Sequence, residues 1–390
     1  MAEMRDWPVG LGEPGPWFEA PTLFNPRFAM ASLGGRFVAL VFLGQARIPA
    51  CRAFVEQLAG ASLTDRDDLS MRFAISLDAA DLRDPLVAAA FPKQRVFHDP
   101  DGHVSGLYGA LGRRRKGPER AYRPYWVILD PMLRVYARGI IERPDVFIAA
   151  LKGIPEPAAH AGVASELWAP VLLVPRVLEP ELCKSLIGVY VSGQPSASGF
   201  MRTENGRTVG KLDPNFKRRS DVIIEDPALR SALAQRIHAR LAPEIKKSFQ
   251  FSVSRIERYI VACYSAEDAG FFRAHRDNTT PGTVHRRFAV TINLNAEEHD
   301  GGELQFPEFG PRTYKAPTGG AIVFSCSLLH EALPVTRGLR YATLPFLYDD
   351  EAAAIRFANQ KYIDNDEPQT GAAAAEPEAQ AREEETKDEY

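Results

Sequence analysis

Cysteine is scarce. The 390 residues hold four, Cys51, Cys183, Cys263 and Cys326, with no two at ligand-like spacing. That argues against a disulfide-stapled secreted scaffold and against a cysteine-based zinc site. Long apolar runs are also missing. The longest near the start, FVALVFLG, is far too short to cross a bilayer. No early segment joins a basic stretch to a long apolar one, so no signal peptide is expected. A large charge of either sign is absent too, the formal net charge being -3. Neither a nucleic-acid nor a membrane partner is therefore expected. Hydrophobic residues at 45% and charged residues at 25% are ordinary for a soluble protein. A reducing, cytoplasmic setting fits these features.

What is present falls into regions. Residues 1–30 are rich in Gly, Pro and aromatics and show no clear periodicity. From Gly35 a βα-like pattern begins. GRFVALVFLG predicts a buried strand, ACRAFVEQLAG a short helix, MRFAISLD a second strand. YRPYWVILDPMLRVYARG predicts strand, turn, strand. Strands interleaved with helices argue an α/β unit with a mixed sheet. PEPAAHAG has the composition of a linker and marks the domain boundary, giving a first domain over 1–154 and a linker over 155–164.

A second domain is expected over 165–350. Helices come first, with a helix opened by Glu-Pro in LEPELCKSLIGVY. A longer amphipathic stretch follows from Asp226, which Pro243 should kink or divide. Short strand candidates then follow one another without helices between them: RIERYIVACYS, RRFAVTINLN, GELQFPE, GAIVFSCS and YATLPFLY. That pattern predicts a sandwich or barrel. The segment 364–390 holds ten acidic residues against only Arg382 and Lys387, and is expected to be a disordered acidic tail.

The chemistry concentrates between Tyr264 and Arg340. His275 and Asp277 stand two apart, and residues i and i+2 of a strand share a face. Both can point at one metal while Arg276 points away. The alternating run AIVFSCSLLH delivers His330 at a strand's end as the third ligand. Two imidazoles and one carboxylate suit Fe(II) with open positions better than a structural zinc site. A lone HxD pair is common by chance; the later His330, with Arg340 ten residues beyond it, gives this one its weight. An arginine there can hold a dicarboxylate by its far end. His299 competes for the third position, in a turn whose mobility disfavours tight ligation.

These residues resemble the prolyl 4-hydroxylase group of 2-oxoglutarate- and Fe(II)-dependent dioxygenases, which includes the oxygen-sensing prolyl hydroxylases. The resemblance implies a double-stranded β-helix, or jelly roll, with flanking helices. It makes His275, Asp277 and His330 the iron ligands and Arg340 the partner of the far carboxylate of 2-oxoglutarate. Tyr264, in VACYS, would line the cosubstrate pocket. Thr291 and Asn293, on one face of the TINLN strand, would flank the cosubstrate. The oxygen-sensing members have a tyrosine in the place of Asn293. GGEL at 301–304 matches the segment that crosses the site. The implied reaction is hydroxylation of an unactivated C–H coupled to conversion of 2-oxoglutarate to succinate and CO₂, with ascorbate as reductant. Implied substrates are a protein, a peptide or an amino-acid-like molecule, and the resemblance leaves room for a homodimer.

The first domain resembles a thioredoxin-fold peroxiredoxin of the alkyl hydroperoxide reductase type. FVALVFLGQARIPACRAF matches the segment presenting a peroxidatic cysteine, here Cys51, with Arg123 as its partner. Ile48 and Gly44 stand where that family has a threonine and a proline. A hydroxyl to orient peroxide is thus missing, though a helix start can lower a thiol pKa. A scaffold or partner-binding role is expected, with thiol peroxidase or redox-regulated interaction protein as the alternative. RTENGRTVGKLDPNFKRRSD, residues 202–221, is basic and turn-rich; it reads equally as part of a substrate entrance or as a solvated loop.

Overall fold

The computed structural model describes residues 8–63, 66–112, 121–155 and 167–363. Most of the expected linker and the whole acidic tail lie outside the described residues.

The expected strand run is the middle of a five-stranded mixed sheet. Phe37–Gly44 pairs in parallel with Ser70–Ser76 and antiparallel with Tyr125–Leu129. Val96–His98 and Val135–Ile140 form the two edges. All eight residues of Phe37–Gly44 are buried, as a strand covered on both faces must be. Alternate side chains feed two cores. Phe37, Ala39 and Val41 pack with the helix Pro49–Gly60 and with Phe147 of Pro144–Lys152. Val38, Leu40 and Phe42 pack on the other side with Phe18, Met30 and Leu33. The patternless start of the chain thus serves as the cover of one sheet face. Phe18 stands edge-on to Phe97 at 5.1 Å, a favourable aromatic geometry.

The second half is built from two antiparallel sheets. Phe288–Asn293 is central in the larger one. It pairs with Ala321–Ser325 along one edge, and with Phe346–Tyr348 and then Leu339–Thr343 along the other. Helix Pro180–Ser192 and the helical stretch from Pro227 bury Leu186, Leu233, Ile237 and Ile245 against its outer face. Asp226 caps that stretch by accepting from Ala228 N–H at 2.8 Å. Pro243 divides it as expected. The α-helix Pro227–Arg236 widens into a π turn at Ile237–Leu241 before Ala242–Phe249 resumes. The smaller sheet orders Lys217–Arg218, Phe271–His275, His330–Ala332, Leu304–Gln305 and Thr313–Tyr314. Between the sheets lie Tyr264, Phe272, Phe306, Phe324 and Phe346.

The two halves meet beside the smaller sheet. Gly35 has φ +86°, and a Cβ there would lie 2.3 Å from Pro307 Cβ, so only glycine permits this approach. Arg276 forms a buried ion pair with Glu308 at 2.8 Å. It also donates to the Ala31 carbonyl at 3.2 Å, and its guanidinium lies 4.3 Å from the Trp17 ring centroid. Glu308→Ala would strand that charge, so we expect a loss of roughly 3–5 kcal/mol. Urea unfolding of the full chain measures this; a change below 1 kcal/mol, on the order of a surface pair, would contradict it.

Candidate active site

The cluster of interest is made where the two halves of the smaller sheet touch. His275 is the last residue of Phe271–His275, and His330 is the first of His330–Ala332. They are direct cross-strand partners, with ring centroids 4.3 Å apart. Two expectations change here. The strand stops at His275, so Asp277 lies beyond it, fixed by its own N–H to the Cys326 carbonyl at 3.0 Å. His330 does not end the run AIVFS. Ala321–Ser325 belongs to the larger sheet, and the chain turns after Ser325 before His330 opens a strand in the smaller one.

His275 Nε2 is 3.5 Å from one Asp277 oxygen and His330 Nε2 is 3.4 Å from the other. One potential ligand atom from each residue lies within 4.8 Å of the others. The tautomers follow from the partners. The Nδ1–H groups of His275 and His330 donate to the carbonyls of Arg273 (2.7 Å) and Leu328 (3.0 Å). A carbonyl only accepts, so each Nε2 keeps its lone pair for the cluster. Burial, helped by His275, pushes the His330 pKa down to about 4, leaving a neutral imidazole at neutral pH. Burial opposes the ionised form of Asp277, but His330 and His275 outweigh it and hold its carboxyl well below the usual range. Two neutral nitrogens and one anionic oxygen, converging and partly buried, can hold a hard-to-borderline divalent ion.

Two cavities adjoin the cluster. The smaller, of about 50 Å³, runs from His275, Asp277 and His330 past Tyr264 and Thr291 to Arg340. Arg340 is 3% exposed and its Nη1 has no hydrogen-bond partner among the described residues. Its guanidinium lies 5.0 Å from the Tyr264 ring centroid. Gly302 makes room for it, since a Cβ there would sit 2.7 Å from Arg340 Cδ. Asn293, expected beside Thr291, does not line this cavity; its amide donates to the Ala316 carbonyl at 2.7 Å. His299 is held rather than mobile. It is buried, its Nδ1 faces the Gly301 carbonyl at 3.1 Å, and it stands outside the cluster.

The larger cavity, of about 400 Å³, reaches His275 and Asp277. Part of the basic 202–221 segment lines it, including Arg202, Phe216 and Lys217, which favours the entrance reading. Another wall is unexpected. Glu19, Arg27, Ala29, Ala31 and Ser32 of the first half line the same space. Sequence reasoning missed them because a covering segment carries no periodicity.

Cys51 is elsewhere. It is fully buried at the start of Pro49–Gly60, with Sγ 3.2 Å from the Leu43 carbonyl. Burial, with Glu142 and Asp81, pushes its pKa up to about 11, the reverse of the expected helix-start effect. The thiol-peroxidase alternative finds no support in this geometry.

Removing any one member should empty the cluster of tight metal. Losing only a hydrogen-bond partner of a ligand weakens metal sites by about 10–100-fold, so His275→Ala, Asp277→Ala and His330→Ala should each weaken Fe(II) by more than that. Metal content after gel filtration, with near-UV circular dichroism as the folding control, measures it. Full iron retention in His330→Ala would move the third ligand elsewhere, with His299 the first suspect.

Residues 259–348 match the family model described as the 2OG-Fe(II) oxygenase superfamily. A PKHD-type hydroxylase of Synechococcus sp. (strain JA-2-3B'a(2-13)) is 34% identical over 98 residues, covering 24% of this chain and 43% of that protein. A PKHD-type hydroxylase of Cupriavidus metallidurans is 26% identical over 185 residues, covering 44% of this chain and 75% of that protein. The chain thus spans less than half the length of the first of these relatives, at 43%. Among solved structures, a Pseudomonas putida prolyl-4-hydroxylase aligns at 18% identity and TM-score 0.34, covering 46% of this chain and 94% of that one. The segment 259–348, which contains the His–Asp–His cluster and Arg340, is thus the part of the chain similar to the 2OG-Fe(II) oxygenase superfamily, which works with Fe(II) and 2-oxoglutarate.

Proposed function

We propose that the protein is an Fe(II)- and 2-oxoglutarate-dependent hydroxylase acting on an unactivated C–H of a prolyl or other amino-acid residue, with succinate and CO₂ as coproducts. The observation that carries this reading is the pairing of two features across one small cavity. At one end is a His–Asp–His cluster, and at the other a buried arginine with an unpartnered donor. A buried cation without a partner is costly unless an anion arrives. The donor set fits Fe(II), and the cavity joins it to a cation suited to a dicarboxylate.

In this reading His275, Asp277 and His330 hold the iron, and Arg340 binds the far carboxylate of 2-oxoglutarate through a charge-assisted pair. Bound iron and cosubstrate supply the oxidising power for C–H hydroxylation, with ascorbate as reductant. The protein's own part is placement and exclusion of water. The Arg273 and Leu328 carbonyls fix the imidazoles by their Nδ1–H groups. Tyr264 supports the Arg340 guanidinium with its ring face. Phe272, Phe324 and Phe346 keep the space between apolar.

The domain scheme belongs to the same reading: 1–154 thioredoxin-like, 155–164 a linker, 165–350 a double-stranded β-helix and 364–390 an acidic tail. The mixed sheet of the first half and the two facing sheets of the second support it. The names of the curated relatives favour a hydroxylase outcome.

The direct test is succinate formation from 2-oxoglutarate by the Fe(II)-loaded full chain, screened with prolyl peptides. No succinate above a metal-free control would overturn the proposal. Arg340→Ala should weaken 2-oxoglutarate by roughly 2–5 kcal/mol, the range for breaking a buried charge pair. Arg337, 61% exposed and paired with Asp300, is the control and should do little when changed to alanine. Anaerobic calorimetry compares the three proteins, and equal affinities in wild type and Arg340→Ala refute the role.

Cys51→Ser should leave succinate formation nearly unchanged, because the thiol is buried apart from both cavities. Hydrogen peroxide consumption with an external thiol, rapid in wild type and lost in the variant, would instead make this a two-activity enzyme.

A further inference from the structure

Arg340 illustrates a rule: a buried cation with a free donor, facing a cavity, marks where an anion belongs. Two further cations line the larger cavity, the buried Lys217 and the half-buried Arg258, which lines the smaller cavity as well. Lys217 is 7% exposed. Its ammonium donates to Ser198 Oγ at 2.8 Å and to the Gly199 carbonyl at 2.5 Å, and it sits 4.6 Å over the Phe272 ring. One of its three hydrogens is left over. Arg258 donates from Nε (3.0 Å) and Nη2 (2.7 Å) to one carbonyl, that of Leu344. Its guanidinium lies 4.5 Å from the Phe346 ring centroid, and its Nη1 has no partner among the described residues.

Neither cation has a carboxylate within 4.0 Å among the described residues. The buried charges beside them are already matched. Arg219 pairs with Asp221 at 2.6 Å and Arg286 with Glu257 at 2.7 Å. Across the cavity, Glu19 is tied to Arg27 at 2.5 Å. Burial is the main influence disfavouring the charged forms of Lys217 and Arg258, and neighbouring arginines add to it. Bound Fe(II), Asp277, doubly charged 2-oxoglutarate and Arg340 would neutralise one another. Lys217 and Arg258 would remain unbalanced in a site of low dielectric, where such charge is costly.

We propose that the larger cavity takes a substrate bearing a carboxylate, held jointly by Lys217 and Arg258, with the carbon to be hydroxylated turned toward His275 and Asp277. This rests on the oxygenase reading above and narrows its substrate class. A free ammonium hydrogen and a free guanidinium Nη1 are two separate cationic donors, which suits the two oxygens of a carboxylate. The facing wall of Ala29, Ala31 and Ser32 offers small side chains, leaving space for the rest of the molecule.

The test uses the Fe(II)-loaded full chain with saturating 2-oxoglutarate under anaerobic conditions. The readout is the shift of the absorption band of the iron–cosubstrate complex as sodium acetate, acetamide or inorganic phosphate is added. Acetate should shift the band saturably, acetamide should not, and phosphate should bind more weakly than acetate. Arg258→Gln and Lys217→Met should each weaken acetate by about tenfold or more, the value of one charge-assisted hydrogen bond. Arg258→Lys should recover part of the loss, which a merely unfolded variant would not. Equal responses to acetate and acetamide, tighter phosphate binding, or acetate binding indifferent to both substitutions overturns the proposal. So does a loss of 2-oxoglutarate affinity in Arg258→Gln as large as in Arg340→Ala, which would place Arg258 in the cosubstrate pocket. Absence of any cosubstrate-dependent band in wild type would instead sink the oxygenase reading itself.

Discussion

One ion pair holds the site and the two halves of the chain in register. Arg276 lies between two cluster residues, His275 and Asp277, and its side chain must go the other way. It goes into a buried space, where an unpaired guanidinium is not tolerated. Glu308 meets it at 2.8 Å, and that same carboxylate accepts the N–H of Leu329 at 3.1 Å. Leu329 precedes His330. A single acidic side chain therefore fixes the neighbours of all three cluster residues. The Ala31 carbonyl and Trp17 complete the enclosure, so the first half of the chain is built into the same arrangement. Buried pairs of this kind are weak arguments for net stability, because hydrophobic replacements often do as well. Their use here is positional, as a register device.

The parts of the site that could be read from sequence are those set by short spacing. His275 and Asp277 need only their separation to be recognised, and Arg340 follows His330 at a distance that one turn and one strand pair dictate. Phe37–Gly44 was legible because a strand buried on both faces has no polar positions. Strand ends were less so. Phe271–His275 stops at His275, after a register shift between Phe272 and His275 against the neighbouring strand, and local sequence encodes neither. Asn293 illustrates another limit. Its periodicity put it with Thr291, but whether an amide faces a cavity or pins a loop depends on a carbonyl 23 residues away. The covering segment of residues 17–32 was illegible for the same reason. Its partners are distant in sequence, and irregular backbone leaves no period to detect.

Charge explains why the two cavities differ. Around the cluster most buried cations have a carboxylate: Arg219 has Asp221, Arg276 has Glu308, Arg286 has Glu257. Those pairs neutralise the walls and so do not compete for ligands. Arg340, Lys217 and Arg258 stand apart from this pattern, and each lines a cavity. Three cations without a carboxylate partner among the described residues, beside the His–Asp–His cluster, concentrate anion recognition there. The aromatic rings beneath them, Tyr264, Phe272 and Phe346, hold the cations by their faces without adding an anion that would fill the same role.

The same geometry separates the first half's contribution from its cysteine. The central sheet has two faces, and Cys51 packs on the one that carries Phe54 and Phe147. The segment that reaches the larger cavity covers the opposite face, through Phe18, Met30 and Leu33. A thiol on the first face meets the cavity only if the sheet's core opens, and its raised pKa leaves little thiolate to react if it did. What the first half brings to the site is instead the Ala31 carbonyl on Arg276 and a wall of Ala29, Ala31 and Ser32 beside the mutually paired Glu19 and Arg27. Such a wall acts by shape. It sets how large a group fits beside His275 and Asp277, and it does so without taking part in the chemistry.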